Sequence, residues 1–404
     1  MAFRPLLTLL ACLMLAAPAH AAPKSHWVGI WATAVMPADQ ASALPVEALR
    51  EATLRQRVKI SAGGPRIRLR LSNDHGTAPL ALGAIHVAVA VGNAGQIAPG
   101  TDRTVTFAGR GGASIPAGAY ALSDPVDLPV KGGQSLAISI QFTAPPARQT
   151  LHHMAQTTGW LAPGDQTAAV SLNDAKPVTH WWQIAGVEAE RDGAAVAVLA
   201  DSLTDGHGLA LDSDARWTDV LAQRLQASGS KLSVLNLGIA GNRVVRDGSG
   251  ISGLARLDRD ILSQSGLVTV ILFEGVNDLG MISREGPVTP ETRARTVQAL
   301  IDGYRQVITR AHARGVRVIG VTLLPFTGTG FYRSDADADA DRQQVNVWIR
   351  TSGQFDGVID FDAVVRDPAA PQRLDPKFDL GDHLHLSVAG YRALGEAVPL
   401  DLLK

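Results

Sequence analysis

From residue 194 onward, short apolar runs rich in β-branched residues alternate with longer stretches of helical spacing, and no other feature constrains the fold as strongly. The runs cover 194–199, 232–237, 267–273, 316–323 and 357–361. The helical stretches cover 217–225, 254–262, 292–314, 342–351 and 388–403. Asp212-Ser213-Asp214 supplies N-cap residues to the first helix, and Gly315 is a C-terminal stop for the third. Strands separated by helices pair in parallel, and uniformly apolar strands need cover on both faces. The expectation is an α/β domain with a three-layer α/β/α arrangement.

Ahead of this half, residues 23–191 read as all β. Arg66-Ile67-Arg68-Leu69-Arg70-Leu71 alternates charged and apolar side chains, as a strand with one wet face does. Residues 85–91 and 135–142 add strands, and turn clusters such as Gly63-Gly64-Pro65 and Asn73-Asp74-His75-Gly76 lie between them. Short strands broken by frequent turns predict a β-sandwich. The pattern changes across 188–193, which divides the chain into a sandwich over 22–190 and the α/β domain over 194–404.

The first 21 residues stand apart. A basic start (Met1-Ala2-Phe3-Arg4), an apolar run over 5–17 and the end Ala19-His20-Ala21 predict a secretory signal peptide cleaved after Ala21. That run is too short to span a bilayer, and no later run is long enough to be a transmembrane helix. Cys12 is the single cysteine, so cleavage leaves no thiol, disulfide or cysteine metal site. A soluble protein, secreted or periplasmic, is expected. The formal net charge of -1 offers no electrostatic case for a nucleic-acid or acidic-membrane partner. A neutral or small ligand fits better, and the sequence leaves the oligomeric state open.

Chemistry-bearing residues collect where the strands stop. The 194–199 run ends in Ala200-Asp201-Ser202-Leu203-Thr204-Asp205-Gly206, which puts a serine at the sheet rim with its hydroxyl toward solvent; taken alone, these residues also suit any turn or helix entrance. The second strand runs into Gly238-Ile239-Ala240-Gly241-Asn242, where Gly241 permits close backbone approach. The third runs into Glu274-Gly275-Val276-Asn277-Asp278, which brings an amide donor to the same rim. Near the end, Asp382-His383-Leu384-His385 spaces a carboxylate and an imidazole three residues apart, on one side of a turn. A serine hydroxyl becomes a nucleophile when a base takes its proton, and a carboxylate orients that base. Ser202, His385 and Asp382 are the right types for these roles. The Ser202 and Gly241 N–H groups with the Asn277 amide suit an oxyanion hole.

In these blocks the chain resembles the SGNH, or GDSL, hydrolase superfamily: Asp201-Ser202-Leu203, Gly241-Asn242, Gly275-Val276-Asn277-Asp278 and Asp382-x-x-His385 follow in order. With Trp31-Ala32-Thr33 and Leu71-Ser72-Asn73 it is similar to the branch that includes acetylxylan-esterase-like secreted proteins. Two positions depart from the pattern: Ala200 stands for the usual glycine, and Leu386 for the proline that often follows the histidine. Neither removes a reacting group. The resemblance implies a serine esterase that works through an acyl-enzyme and removes short acyl, chiefly acetyl, groups from a carbohydrate or polysaccharide. Lipases, lysophospholipases and thioesterases share the superfamily and its site residues. A non-catalytic carbohydrate-binding protein is the rival from outside enzymes.

Other groupings carry less. The serine lacks a Gly-x-Ser-x-Gly elbow. Asp382, His383 and His385, or His152 with His153, do not fill a metal shell, and no metal or cofactor is expected. Asp335, Asp337, Asp339 and Asp341 lack the glycine and glutamate of a calcium loop and read as a helix entrance. Trp181-Trp182 reads as packing. The loops assigned to the rim, Thr204-Asp205-Gly206-His207-Gly208, Asn242-Arg243 and Thr327-Gly328-Thr329-Gly330, are small and polar, and suit a hydroxylated ligand.

Overall fold

The computed structural model describes residues 26–284 and 286–404, so the signal segment expected over 1–21 lies outside it. The N-terminal part consists mostly of strands. Two antiparallel sheets dominate: one orders His26–Ala32, Ile184–Arg191, Ile67–Ser72 and Tyr120–Leu122, and the other is built around Ala52–Lys59, Ser135–Phe142 and Ile85–Val91. Apolar side chains from both, among them Leu69, Val187, Leu54 and Ile138, share one core.

The wet face expected for residues 66–71 closes toward its end, from an Arg66 side chain that is 44% exposed to a buried Arg70. Arg70 is 5% exposed and donates to the Ser263 hydroxyl (3.0 Å) and carbonyl (2.9 Å) of the C-terminal part, while Arg68 pairs with Glu188. Period-two alternation reports that the two faces differ, and here the charged face meets the C-terminal part at Arg70. The same interface explains Asp212 and Asp214. They pair with Arg57 (2.9 and 3.1 Å) instead of capping the next helix; Trp217–Ala227 begins at Arg216, whose N–H is accepted by the Asp219 side chain.

The C-terminal part carries a five-stranded parallel sheet in the order Leu232–Gly238, Ala194–Ala200, Leu267–Phe273, Arg317–Val321, Gly357–Ile359, with helices in the connections. The connection from Ile184–Arg191 to Ala194–Ala200 is two residues long. Because the first strand in sequence lies second in space, the chain switches direction beside it, and open α/β sheets open their crevice at that point. Register aligns the three strand ends there: Ala200 pairs with Gly238 on one side and with Phe273 on the other. The segments that follow, carrying Ser202, Gly241 and Asn277, therefore leave the sheet at one level. The Ala336–Thr351 helix begins earlier than its apolar spacing indicates, because Asp335 caps it by accepting from the Ala338 N–H, while Asp339 and Asp341 pair with Arg342 and Arg293. Among the described residues no helix is long and apolar enough to cross a membrane.

Candidate active site

Ser202 opens a one-turn helix, Ser202–Asp205, capped by Asp201, whose carboxylate accepts from the Leu203 N–H. The left-handed Gly206 (φ 101°) ends that turn. Ser202 is 6% exposed, more enclosed than its sequence position suggests, and its Oγ lies 3.0 Å from His385 Nε2. His385 Nδ1 lies 2.6 Å from Asp382 Oδ2, and Asp382 Oδ1 also accepts from the His385 and Leu384 N–H groups. Nδ1 facing a carboxylate is the donor, which leaves Nε2 to accept from the serine hydroxyl.

Burial of His385 pushes its pKa down, Asp382 pulls it back up, and His207, stacked on it at 3.9 Å between ring centroids, lowers it; the net value lies below that of an ordinary imidazole. Asp382 feels burial as an upward push, outweighed by the hydrogen bonds from His385, and stays below the ordinary carboxylate range. The pair is thus a neutral base held by an ionised carboxylate.

The structure also brings Gly241 and Asn277 to this point. Gly241 has φ +77°, and a Cβ there would meet the Ser249 hydroxyl at 2.6 Å, so a side chain at this position would be strained and would have to displace that hydroxyl. Among the described residues, no hydrogen-bond acceptor takes the Ser202 or the Gly241 N–H. Asn277 differs from expectation. It is 4% exposed, and its amide donates to the Asn242 carbonyl (3.0 Å) and to Asp201 Oδ2 (3.3 Å), while Tyr332 donates its hydroxyl to Asn277 Oδ1.

Several residues of this constellation escaped the sequence reading. Arg256, fully buried, donates to the Ala200 and Leu237 carbonyls (3.0 and 2.7 Å) and to Asn242 Oδ1 (2.8 Å), tying two strand ends to the glycine loop. It lies 3.7 Å from Glu274, whose complete burial outweighs that attraction and holds its pKa well above the ordinary value. Burial likewise pushes Asp201 up to about 7 and Asp278 up to about 6. An arginine at the start of an apolar helix was the available signal for Arg256; nothing local marks Tyr332.

The rim also differs from expectation. Thr204, Asp205 and Asn242 are buried, with Thr204 accepting from the Trp217 indole. His383 points away, bonded to Asp379 at 2.6 Å, so the histidine that approaches Asp382 and His385 is His207; one ligand atom from each of the three lies within 4.8 Å of the others. Trp181 and Trp182 are buried.

A serine whose hydroxyl meets a carboxylate-held imidazole beside two open backbone N–H groups has the geometry of a serine hydrolase. Residues 201–393 match the GDSL-like lipase/acylhydrolase family model, so this region is a GDSL-type hydrolase domain and the protein is a carboxylic ester hydrolase. Similar solved structures include a lipase/acylhydrolase from Enterococcus faecalis (21% identity over 50% of this chain and 92% of that one, TM-score 0.38). Two others are the psychrotrophic esterase EstA from Pseudoalteromonas sp. (17% identity, 50% and 93%, TM-score 0.38) and the acetyl xylan esterase AlAXEase (18% identity, 50% and 96%, TM-score 0.37). No curated protein matches the chain.

Proposed function

We propose that the protein hydrolyses short acyl esters, chiefly acetyl esters of a carbohydrate or polysaccharide, through an acyl-enzyme on Ser202. The observation that carries this is the 3.0 Å contact of Ser202 Oγ with His385 Nε2, backed by the 2.6 Å contact of His385 Nδ1 with Asp382. His385 takes the serine proton as Oγ attacks the ester carbonyl, then returns it to the leaving alcohol. The Ser202 and Gly241 N–H groups, joined by the Asn277 amide, receive the negative oxygen. Water repeats the cycle to release the acid.

Two things support the acetyl-sugar reading. One is the resemblance to the acetylxylan-esterase-like branch. The other is a cleft of about 130 Å³ beside Ala240, which presents a carboxylate (Asp39), an imidazole (His153) and a hydroxyl (Ser249) among Met36, Met154 and Ile239, a mixture suited to a hydroxylated ring. Leu380 and Phe331, exposed by the His385 turn and by Tyr332, favour the lipase or thioesterase reading instead. The C-terminal part is read as a flavodoxin-like three-layer domain on its 2-1-3-4-5 strand order, and the protein as exported on its first 21 residues.

The test is a phosphonate probe followed by an ester series. The probe should label the protein at Ser202, and Ser202→Ala and His385→Ala should each lose several orders of magnitude in turnover while remaining folded. Catalytic efficiency should fall steadily from acetyl to octanoyl esters, with acetate released from an acetylated polysaccharide. Near-normal turnover in folded Ser202→Ala defeats the serine mechanism, and a preference for octanoyl esters with acetylated sugars untouched makes the lipase or thioesterase reading correct.

A further inference from the structure

His152 belongs to the N-terminal strands, yet its ring ends inside the hydrolase half. It lies on the short strand Thr150–His152 and is 3% exposed. Its Nδ1 lies 2.9 Å from the Ala34 carbonyl, and its Nε2 lies 2.9 Å from Asp205 Oδ1. Nδ1 therefore carries a proton, because a carbonyl can only accept. Trp181 packs over the ring at 5.5 Å between centroids and meets Trp31 edge-on at 5.0 Å, so the imidazole has one seat. Asp205 is the last residue of the one-turn helix that Ser202 opens, and its other oxygen, Oδ2, accepts from the Ala240 N–H at 2.9 Å.

Ala240 precedes Gly241, whose N–H has no acceptor among the described residues and belongs to the oxyanion hole on the serine-esterase reading. The far side of this loop is pinned through Asn242, which Arg256 holds at Oδ1 and which donates to the Ser249 and Ile251 carbonyls. On the near side the bond from the Ala240 N–H to Asp205 does the same job, and Asp205 in turn is held by His152. The loop thus hangs between two buried anchors. A shift of about 1 Å in a catalytic donor costs on the order of 100-fold in rate.

We propose that His152 is a positioning residue for the reaction: through Asp205 it sets the Gly241 N–H against the Ser202 turn, so that the N-terminal part completes the oxyanion hole. This rests on the serine-esterase reading of the Ser202 site. His152→Phe keeps a ring under Trp181 and removes both hydrogen bonds. Asp205→Ala removes the link from the other side. Asp205→Asn, by contrast, offers its oxygen to the Ala240 N–H and its N–H to His152 Nε2, which preserves every bond with a neutral ring.

The experiment counts active sites by exhaustive phosphonate labelling of the full chain and then measures kcat per labelled site and KM on one acetyl ester. His152→Phe and Asp205→Ala should lower kcat per site about 10- to 100-fold with KM within about threefold, and Asp205→Asn should stay within about threefold of the parent in both. A purely structural role would reduce the number of labelled sites and leave kcat per site unchanged. Parent-like kcat per site in His152→Phe overturns the proposal, as does a loss confined to KM. If His152→Phe does not fold, the two Asp205 variants decide it: an Asp205→Asn protein as slow as Asp205→Ala overturns it equally. Failure of the underlying reading is distinct, because the parent protein itself would then not label.

Discussion

At the scale of single residues the site depends on where protons rest. His385 must be neutral to accept the Ser202 proton, and its burial, together with the stacked His207, favours the neutral form against the pull of Asp382. Activity should therefore rise with pH as His385 loses its proton, and the acidic limb of kcat/KM should have its midpoint below 6.5, the ordinary imidazole value. A midpoint near 7 or above in a pH–rate profile would mean that Asp382 outweighs burial. Asn277 is placed differently: both of its amide hydrogens already have acceptors, and on the proposed reading the 3.3 Å contact with Asp201 is exchanged for the oxygen that becomes negative. Asn277→Ala should lower kcat on the order of 100- to 1,000-fold with little change in KM, and steady-state kinetics that show the reverse would remove it from the oxyanion hole. The cluster of His207, Asp382 and His385 invites a metal by spacing, yet two of its members are bonded to each other. Exhaustive chelation should leave hydrolysis intact; activity that vanishes and returns with one added cation would assign that cluster to a metal.

Among the elements, the parallel strands matter for where they stop. Ala200, Gly238 and Phe273 lie in register, and Arg256 spans the Ala200 and Leu237 carbonyls while holding Asn242. Lysine has one point charge on a flexible stem and cannot reach three acceptors set apart as a guanidinium fork reaches them. Arg256→Lys should therefore leave some of these carbonyls without a donor, lowering stability by about 3 kcal/mol in urea unfolding and reducing kcat as well. Unchanged stability would show that the carbonyls find other donors.

At the scale of the molecule the two parts are not beads on a string. Val28, Ala32 and Ala34 belong to the same buried cluster as the parallel sheet, Ser233 donates to the Gly29 carbonyl at 2.6 Å, and Gly29 donates to the Ser265 carbonyl at 2.9 Å. A core shared across the junction couples the melting of both sides. Calorimetry should give one transition, with calorimetric and van't Hoff enthalpies in agreement, and two resolved transitions would show that the shared residues contribute little.

How much of this was legible depends on the range of the interaction. Period and turn chemistry are local, so the alternation after residue 194 and the strands at 85–91 and 135–142 could be read from neighbours alone, while the candidates Ser202, Gly241, Asn277, Asp382 and His385 came from four blocks that follow in order along the chain. Even the helix entrance at Asp335 followed from its own side chain. What the order of residues could not state is which face meets which. Arg70 looked like a solvent-facing charge, Asp212 and Asp214 like caps, and His152 like half of an incomplete metal shell with His153, because Ser263, Arg57 and Asp205 are each between 53 and 193 positions away. Sequence determined the chemical inventory and the strand ends that carry it. Tertiary packing decided which donors stay open, which carboxylates are buried, and that a histidine from the β-rich part braces the loop beside the nucleophile, since burial and hydrogen-bond partnership are properties of what lies close in space.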